Sequence, residues 1–198
     1  MVLLMELKDF RSEDGLFNLI KRKYPGTVFS GKDLFDASLF RDEATTRIFW
    51  TFMGELKALI GQANATPTHR FIHELHSSNK LLRCYTQNID GLEARLGMSS
   101  TLQDANSPPA VVQLHGDMDC LVCCRCQKLH DFKLEWVGVY KGGSAVECLR
   151  CHDESATRVA NSRRATPVGL LRPNIVLYNE YHANGIPFFF IVIWFCWS

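Results

Sequence analysis

The sequence predicts an α/β fold, in which helices pack on an open sheet, together with a small cysteine-rich module. The first observation is a helix-like segment that begins at Thr66 and leads into an apolar run, 81–86, which is followed at once by polar side chains. The second is another apolar run, 111–116, that also stops at a polar group. Helix, strand and polar loop in this order are typical of α/β proteins. The third is a pair of Cys-x-x-Cys sequences, at 123–126 and 148–151, which indicates the separate module.

Composition limits the class of protein. The 198 residues can form one large domain or a domain with an inserted module, and 46% apolar residues are enough for a substantial core. A net charge of +1 does not favour direct nucleic-acid binding. The N-terminus lacks a basic region before its short apolar run, so no secretory signal is predicted. The apolar run 186–197 has 12 residues, too few for a membrane span.

Three segments before the first strand have helical patterns. Residues 31–40 and 43–61 are both expected to be helical. The second has apolar side chains near a 3.6-residue period, at Phe49, Phe52, Leu56 and Leu59. A further helix is expected to begin at Thr66, a good N-cap, with Pro67 at the first helical position, and to end near Asn79.

Two of the predicted strands end in side chains that can bind a ligand or react. Gln87, Asn88 and Asp90 follow the first strand, and His115 follows the second. Because ligands bind at the carboxyl ends of strands in open α/β sheets, these residues are candidates for a site. Asn-x-Asp-Gly is also good turn chemistry, so a plain turn at 88–91 is the alternative.

Three histidines, His69, His73 and His76, share one side of the helix that begins at Thr66. The His-Glu-x-x-His motif of zinc proteases is missing, because His73-Glu74 is followed by Leu75-His76. No carboxylate partner is evident from the sequence, so a metal role is not expected for these histidines.

Four cysteines form two Cys-x-x-Cys pairs separated by 21 residues: Cys123, Cys126, Cys148 and Cys151. Eight cysteines in a chain without a predicted secretory signal favour metal binding over disulfides. Two such pairs predict a closed, structural Zn²⁺ site with four thiolate ligands; four buried free cysteines are the alternative. Cys120 also has Cys-x-x-Cys spacing with Cys123, which leaves a second register open, and His152 is a further candidate ligand.

Five motifs, taken in order, resemble the sirtuins, a family of NAD-dependent protein deacylases. They are DFRSEDGLF at 9–17, YTQNIDGLE at 85–93, VVQLHGD at 111–117, the two Cys-x-x-Cys pairs, and LRPNIVLYNE at 171–180. The resemblance covers residues 8 to about 185. It implies a Rossmann-like parallel-sheet NAD-binding domain with a helical insertion at about 25–65 and a zinc-ribbon module at about 118–166.

The resemblance also implies roles for residues at the strand ends. His115 matches the family's general base, with Asn88 as a second catalytic residue. Gln87 and Asn88 match residues that bond the ribose and position water. Asp90 matches a residue that accepts a hydrogen bond from the nicotinamide carboxamide.

Two further segments match family positions that contact cofactor or substrate. Asp9, Phe10 and Arg11 match the cofactor loop, where the aromatic ring shields the reactive centre and the guanidinium bonds the cofactor. Val176, Leu177, Tyr178, Asn179 and Glu180 match the segment that adds to the substrate backbone as a strand. Asn179 replaces the more common glycine, and asparagine tolerates the left-handed backbone region.

The sequences GKDLFDASLFRD and LRPNIVLYNE resemble most the fungal nuclear branch that deacetylates a core-domain lysine of histone H3. The resemblance implies a histone deacetylase that uses NAD and structural Zn²⁺ and acts in the nucleus in chromatin silencing and transcription regulation. Its implied partner is an acetyl-lysine protein, namely histone H3, with no direct nucleic-acid binding and no membrane. A non-catalytic zinc-ribbon binding module or an inactive sirtuin fragment is the alternative function.

Both ends of the chain depart from the family pattern. No glycine precedes Asp9, so the phosphate-binding glycine loop is missing, and Lys8 stands where proline is usual. The resemblance stops after Gly185, before the family's later strands. We therefore expect an incomplete sirtuin domain over 1–198, truncated at both ends and with weak or no activity.

Two features support that expectation. The sequence offers three candidate strands, at 81–86, 111–114 and 174–178, which are few for a covered parallel sheet. Residues 186–198 form an apolar tail of doubtful origin, which would expose apolar surface and promote aggregation.

Overall fold

The computed structural model of the chain describes residues 15–25, 30–100 and 108–180. Within these ranges the helices are α1 (Leu16–Lys23), α2 (Glu43–Gln62), α3 (Pro67–Ser77), α4 (Leu92–Arg95), α5 (Val137–Lys141) and α6 (Leu149–Ala160). The strands are β1 (Cys84–Thr86), β2 (Val111–Gln113), β3 (Gly116–Cys123), β4 (Leu129–Asp131) and β5 (Leu171–Ile175). Short 3₁₀ turns lie at Asp33–Phe35, Ala37–Arg41 and Leu134–Trp136.

The described strands form two sheets. β1 and β2 pair in parallel, with Cys84 opposite Val111 and Thr86 opposite Gln113. β3 lies between β4 and β5 and is antiparallel to both. The parallel pair confirms the predicted α/β class, and the antiparallel sheet carries the first Cys-x-x-Cys sequence at the end of β3.

Several predicted boundaries are wrong. The helix expected at 31–40 is two 3₁₀ turns, because Asp36 between them is extended, with φ −103° and ψ 134°. The strand expected at 81–86 begins only at Cys84. The third expected strand lies at 171–175 instead of 174–178, and it pairs with β3 outside the parallel sheet. The strand bounds were predicted from runs of apolar residues. These runs extend beyond the residues that form hydrogen bonds between strands, so the predicted bounds are displaced.

Helix α2 forms the centre of the main core. Asp42 caps its N-terminus by accepting a hydrogen bond from the Thr45 amide at 2.9 Å. Its core-facing side chains are at most 2% exposed: Ile48, Phe49, Phe52, Met53, Leu56 and Ile60. Gly54 allows α5 to pack closely, because a Cβ there would lie 2.5 Å from the backbone nitrogen of Lys141. Helix α1, the 3₁₀ turns at 33–41 and α5 all contact α2.

Helix α3 begins as the sequence predicts. Thr66 and His69 form a capping box, and Pro67 occupies the first helical position. A second apolar cluster of Met98, Ala110 and Val111 packs against Ile72 and Leu81, which places α3 beside the parallel strands.

Among residues 15–25, 30–100 and 108–180, no helix is both long enough and apolar enough to cross a membrane. The apolar run 186–197 lies outside these residues.

Candidate active site and metal centre

The carboxyl ends of β1 and β2 lie side by side because the two strands are parallel and in register. The Leu114 amide donates to the Thr86 carbonyl at 2.9 Å, which extends the pairing one residue beyond β2. The polar loops 87–91 and 114–116 therefore leave the sheet at the same edge. This edge is where open α/β sheets bind ligands.

His115 is bonded to the loop after β1 and to the segment that follows β5. Its Nδ1 lies 3.1 Å from the Gln87 carbonyl oxygen. A carbonyl oxygen can only accept, so Nδ1 carries the proton and Nε2 is the basic nitrogen of the neutral ring. The His115 carbonyl in turn accepts from the Val176 amide at 3.0 Å. The sequence-predicted base is thus oriented by the loop after β1 and lies next to the predicted substrate segment.

Gly116 turns the chain from His115 into β3. Its φ is 76°, and a Cβ there would lie 1.9 Å from the Asn174 carbonyl oxygen. Both the backbone conformation and the close approach of β5 require glycine at this position.

The loop after β1 is tied down through its backbone. The Asn88 amide donates to Thr86 Oγ1 at 3.1 Å, and the Ile89 carbonyl accepts from the Met118 amide at 2.9 Å. The Gln87 side chain is exposed and Asn88 is half-buried. Asp90 is only 4% exposed, and its Oδ1 accepts from the Leu92 amide at 3.1 Å. The structure therefore gathers all three predicted polar residues at this edge and buries the carboxylate.

Asp90 lies in a buried group with Glu93 of α4 and His69 of α3. One nitrogen or oxygen atom from each residue lies within 4.8 Å of the other two, and His69 Nε2 is 3.8 Å from Glu93 Oε1. Burial raises the pKa of Glu93, and the neighbouring charge of Asp90 raises it further. Sequence reasoning found no carboxylate partner for His69 because both carboxylates come from a later segment of the chain.

The capping box indicates which tautomer the neutral His69 ring adopts. The Thr66 amide donates to His69 Nδ1 at 3.2 Å, so in the neutral ring Nε2 carries the proton. An Nε2–H that faces Glu93 suits a carboxylate partner, whereas a metal ion would need the lone pair of that nitrogen. We therefore assign this group a structural role, which is to hold the loop after β1 against α3.

The predicted substrate segment, 176–180, runs from the end of β5 to the 3₁₀ turns. The Tyr178 amide donates to the Phe35 carbonyl at 2.8 Å, and the Tyr178 carbonyl accepts from the Ala37 amide at 2.9 Å. Glu180 accepts hydrogen bonds from the Arg172 guanidinium and from the Leu177 amide. Pairing of this segment with a substrate backbone stays a prediction, and Tyr178 already uses both of its backbone groups within the chain.

Asp9, Phe10 and Arg11 lie outside the described residues, as does the tail 186–198. The roles assigned to the first three by resemblance stay predictions.

Four cysteine sulfurs converge beside β3: those of Cys123, Cys126, Cys148 and Cys151. The Cys123–Cys151 sulfur pair is 3.7 Å apart and the Cys126–Cys148 pair 3.8 Å apart. Four thiolates around a zinc ion at about 2.3 Å lie about 3.8 Å from one another, whereas a disulfide bond is only about 2.05 Å long. The donor set and its spacing therefore fit a closed Zn²⁺ site.

The surroundings of the cluster are also typical of a thiolate–metal centre. The Arg125 and Cys126 amides both donate to Cys123 Sγ at 3.4 Å, and His130 Nε2 lies 3.4 Å from Cys148 Sγ. Such donors stabilise the negative charge on metal-bound sulfur. Cys120, the alternative ligand in sequence, is not part of the group, and burial raises its pKa to about 11.

Strand β3 connects the two sites. It starts at Gly116, directly after His115, and ends at Cys123. Its eight residues span roughly 23 Å, given a rise of about 3.3 Å per residue. The cysteine cluster thus lies at the opposite end of β3 from the strand-end residues.

Sequence reasoning missed a buried charge in α2. Lys57 is 4% exposed, and its Nζ lies 2.5 Å from Asp119 Oδ1 and 5.2 Å from the centre of the Phe132 ring. Arg95 of α4 is also near Asp119, at 3.9 Å. The burial of Lys57 could have been predicted from the helical period, because Lys57 lies one turn after Met53 on the core-facing side of α2.

Comparison with known proteins identifies the family. A model of the Sir2 family matches residues 5–189. The Candida albicans protein named NAD-dependent histone deacetylase HST3 is 43% identical over 188 residues, covering 89% of this chain and 39% of the relative. The Saccharomyces cerevisiae protein of the same name is 40% identical over 192 residues, covering 90% of this chain and 42% of the relative. The chain therefore spans about two-fifths of the length of these curated relatives.

Solved structures share the fold. A structure on the structural basis of sirtuin substrate affinity has a TM-score of 0.56 at 24% identity, covering 88% of this chain and 55% of that one. A complex of a Sir2 homologue with ADP-ribose also has a TM-score of 0.56, at 19% identity, covering 90% of this chain and 55% of that one. The family model matches residues 5–189 of the 198-residue chain, and two relatives are at least 40% identical to it. The chain therefore belongs to the Sir2 family.

Proposed function

We propose that this chain carries the reactive centre of an NAD-dependent protein-lysine deacetylase. The observation that supports this most is the hydrogen bond from His115 Nδ1 to the Gln87 carbonyl, 3.1 Å long, at the shared end of two parallel strands. It makes Nε2 the basic nitrogen, next to a loop that presents two amide side chains. Relatives of the chain are named deacetylases.

Each strand-end residue has a role in this proposal. When bound, NAD would supply the ribose carbon, and the carbonyl oxygen of acetyl-lysine would form a bond to that carbon as the bond to nicotinamide breaks. His115 Nε2 would accept the proton of a ribose hydroxyl, a task that suits imidazole because it gains and loses protons near neutral pH. Gln87 and Asn88 would bond the ribose and position water. Asp90 would accept a hydrogen bond from the carboxamide.

Two further sets of residues complete the proposed site. Asp9, Phe10 and Arg11 would contact the cofactor. The four clustered cysteines would hold one Zn²⁺, which would cross-link the end of β3 to α6 and has no open position for water. We accordingly propose a helical insertion at about 25–65 and a zinc-binding module at about 118–166.

The proposed substrate is an acetyl-lysine in a histone, and specifically in histone H3, with the nucleus as the place of action. The names of the fungal relatives, which refer to histone deacetylation, support the histone substrate. The segment 176–180 would receive the peptide, because its first residue is bonded to His115.

The test is nicotinamide release from NAD that depends on an acetyl-lysine peptide. It is measured for the 198-residue chain and for a hybrid in which the flanking sequences of the Candida albicans relative are fused to it. In whichever protein is active, His115→Ala should abolish release and leave the zinc content at one ion per chain. Persistent release in His115→Ala would contradict the assignment of the base.

A non-catalytic zinc-ribbon module is the competing function, and the geometry does not favour it. A ribbon alone does not need an imidazole oriented by the loop of a neighbouring parallel strand. Absence of peptide-dependent release from both the chain and the hybrid would decide for this alternative.

A further inference from the structure

The segment 176–180 and the 3₁₀ region 33–41 are joined by a short parallel bridge. Tyr178 pairs with Asp36, and the Tyr178 backbone exchanges hydrogen bonds with Phe35 and Ala37 at 2.8 and 2.9 Å. Lys32 adds a contact, with its Nζ 4.8 Å from the centre of the Tyr178 ring. One residue pair with two backbone bonds is a short junction, so side chains are needed to hold it.

Asn179 supplies the side-chain contact next to this bridge. Its Nδ2 donates to Asp36 Oδ2 at 2.6 Å. The residue has a φ of 58°, in the left-handed region that asparagine tolerates better than most residues. The left-handed conformation of Asn179 ends the extended backbone of the segment, and the Asn179 side-chain amide binds the 3₁₀ region.

Asp36 is well prepared to accept this bond. Its other oxygen, Oδ1, accepts from the Ser38 amide at 2.8 Å, which fixes the carboxylate at the start of the second 3₁₀ turn. The Ser38 amide, together with the Asn179 amide and the charge of Arg41, holds the pKa of Asp36 below its usual value. The carboxylate is therefore charged at neutral pH, and a hydrogen bond to a charged acceptor is stronger than one between neutral groups.

Both sides of the junction are anchored in the core. Leu34 is fully buried, and the Phe35 ring packs edge-on against Phe52 of α2 with centroids 5.2 Å apart. Leu177 is 4% exposed. Asp36 and Asn179 also line an open groove of about 440 Å³ with Ser38 and Arg41. Separation of Asn179 from Asp36 would therefore change the shape of a groove beside the proposed peptide segment.

We propose that Asn179 and Asp36 form a latch that holds segment 176–180 against the 3₁₀ region and thereby positions this segment for an acetyl-lysine peptide. Asn179 is on this view a positioning residue, since it acts through the segment and not on the reacting atoms. The positioning role rests on the proposed function, whereas the latch itself does not.

A reversal experiment on the full chain tests both parts. Asn179→Asp places two carboxylates face to face, which opens the latch. Combining it with Asp36→Asn restores the bond in the opposite direction, with the new amide donating to the new carboxylate, and an asparagine at 36 still accepts from the Ser38 amide. Asn179→Gly is the backbone control, because glycine accepts the same φ and removes only the side chain.

Amide hydrogen exchange of Ala37 and Tyr178 reports on the latch without any ligand. Asn179→Asp should speed exchange at both amides about three- to tenfold, Asn179→Gly by less, and the reversed pair should return to the wild-type rate. Affinity for an acetyl-lysine peptide, with the unacetylated peptide as reference, should weaken about three- to tenfold in Asn179→Asp and recover in the reversed pair. The midpoint of global thermal unfolding should stay the same throughout.

The outcomes separate the claims. Exchange that is unchanged in Asn179→Asp would overturn the latch. Faster exchange with unchanged peptide affinity would overturn the positioning role. If neither the chain nor the hybrid with the flanking sequences binds acetylated peptide while exchange responds as expected, the proposed function fails together with the positioning role, and the latch stands.

Discussion

The Asn88 side chain is presented by a loop whose backbone is bonded on both sides of it, to Thr86 Oγ1 and to the Met118 amide. Removal of the side chain should therefore leave the loop in place. We predict that Asn88→Ala lowers peptide-dependent nicotinamide release about a hundredfold, the size of loss expected when reacting groups are misplaced. Zinc content should not change, and the free energy of unfolding should stay within about 0.5 kcal/mol of wild type. Normal turnover in Asn88→Ala would remove this residue from the proposed chemistry.

Glu93 is the residue whose charge state should affect stability. Burial and the charge of Asp90 raise its pKa above the ordinary value of 4.5. A carboxyl with a raised folded-state pKa contributes its full stability below the unfolded pKa, and this contribution is lost as pH rises through the folded value. Glu93→Gln removes the ionisation and keeps an oxygen that can accept from His69.

We therefore predict that Glu93→Gln gains stability relative to wild type as pH rises from about 4 to about 7. Urea unfolding of both proteins at a series of pH values measures the difference. A difference in free energy of unfolding that does not vary with pH would show that Glu93 ionises as freely in the folded chain as in the unfolded one.

At the scale of elements, β3 and α6 are expected to be linked through a metal ion, and the identity of its cysteine ligands can be tested. Cys126 lies in the group of four sulfurs, whereas Cys120 lies outside it with a raised pKa that disfavours the thiolate. We predict that Cys126→Ser loses most of the bound zinc, as measured by metal analysis, and that Cys120→Ser retains one ion per chain. Chelation should also reduce the antiparallel strand signal in circular dichroism, because metal binding and folding are linked. Zinc retained in Cys126→Ser would favour the other register.

The turn between His115 and β3 requires glycine for two independent reasons, a φ of 76° and a Cβ position 1.9 Å from the Asn174 carbonyl oxygen. We predict that Gly116→Ala costs about 2 kcal/mol or more of unfolding free energy. Gly61 in α2 is the matched control, because nothing lies within 4 Å of a Cβ at that position. Gly61→Ala should stabilise the chain by up to about 1 kcal/mol. Equal effects of the two changes in urea unfolding would contradict the close contact with β5.

At the scale of the whole molecule, the Lys57–Asp119 pair connects α2 with β3, and Arg95 brings α4 to the same carboxylate. The two partners differ in exposure, since the Lys57 side chain is 5% exposed and that of Asp119 46%. Asp117, the other nearby carboxylate, is already bonded to the Asp119 and Cys120 amides. Loss of Asp119 therefore leaves a buried ammonium without its partner.

This asymmetry predicts which substitution is worse. Asp119→Asn should cost about 2–4 kcal/mol, because a buried charge then lacks compensation, whereas Lys57→Met should cost less than about 1.5 kcal/mol, since a carboxylate that reaches water remains. Urea unfolding at neutral pH measures both. The opposite order would mean that Asp119 is not the group that compensates the buried charge of Lys57.

The sequence determined the elements whose signals are local. The N-cap at Thr66 with Pro67 marks the start of α3, and the period of Phe49, Phe52 and Leu56 marks the buried side of α2. The Cys-x-x-Cys spacing also predicted which four sulfurs converge, although it left Cys120 open. These features depend on neighbours a few residues apart, so the order of residues alone contains them.

Tertiary structure decided what depends on distant segments. Strand β5 pairs with β3 and not with the parallel sheet, and Gly116 permits the close approach of the β3 backbone to Asn174. His69 acquires Glu93 and Asp90 as partners, and Asn179 acquires Asp36, from residues remote in sequence. The tautomer of His115 is likewise set by a carbonyl on the neighbouring strand. Sequence therefore determined which side chains stand at the strand ends, and only the packing of distant segments determined their partners, because no local pattern encodes a contact that closes a long loop.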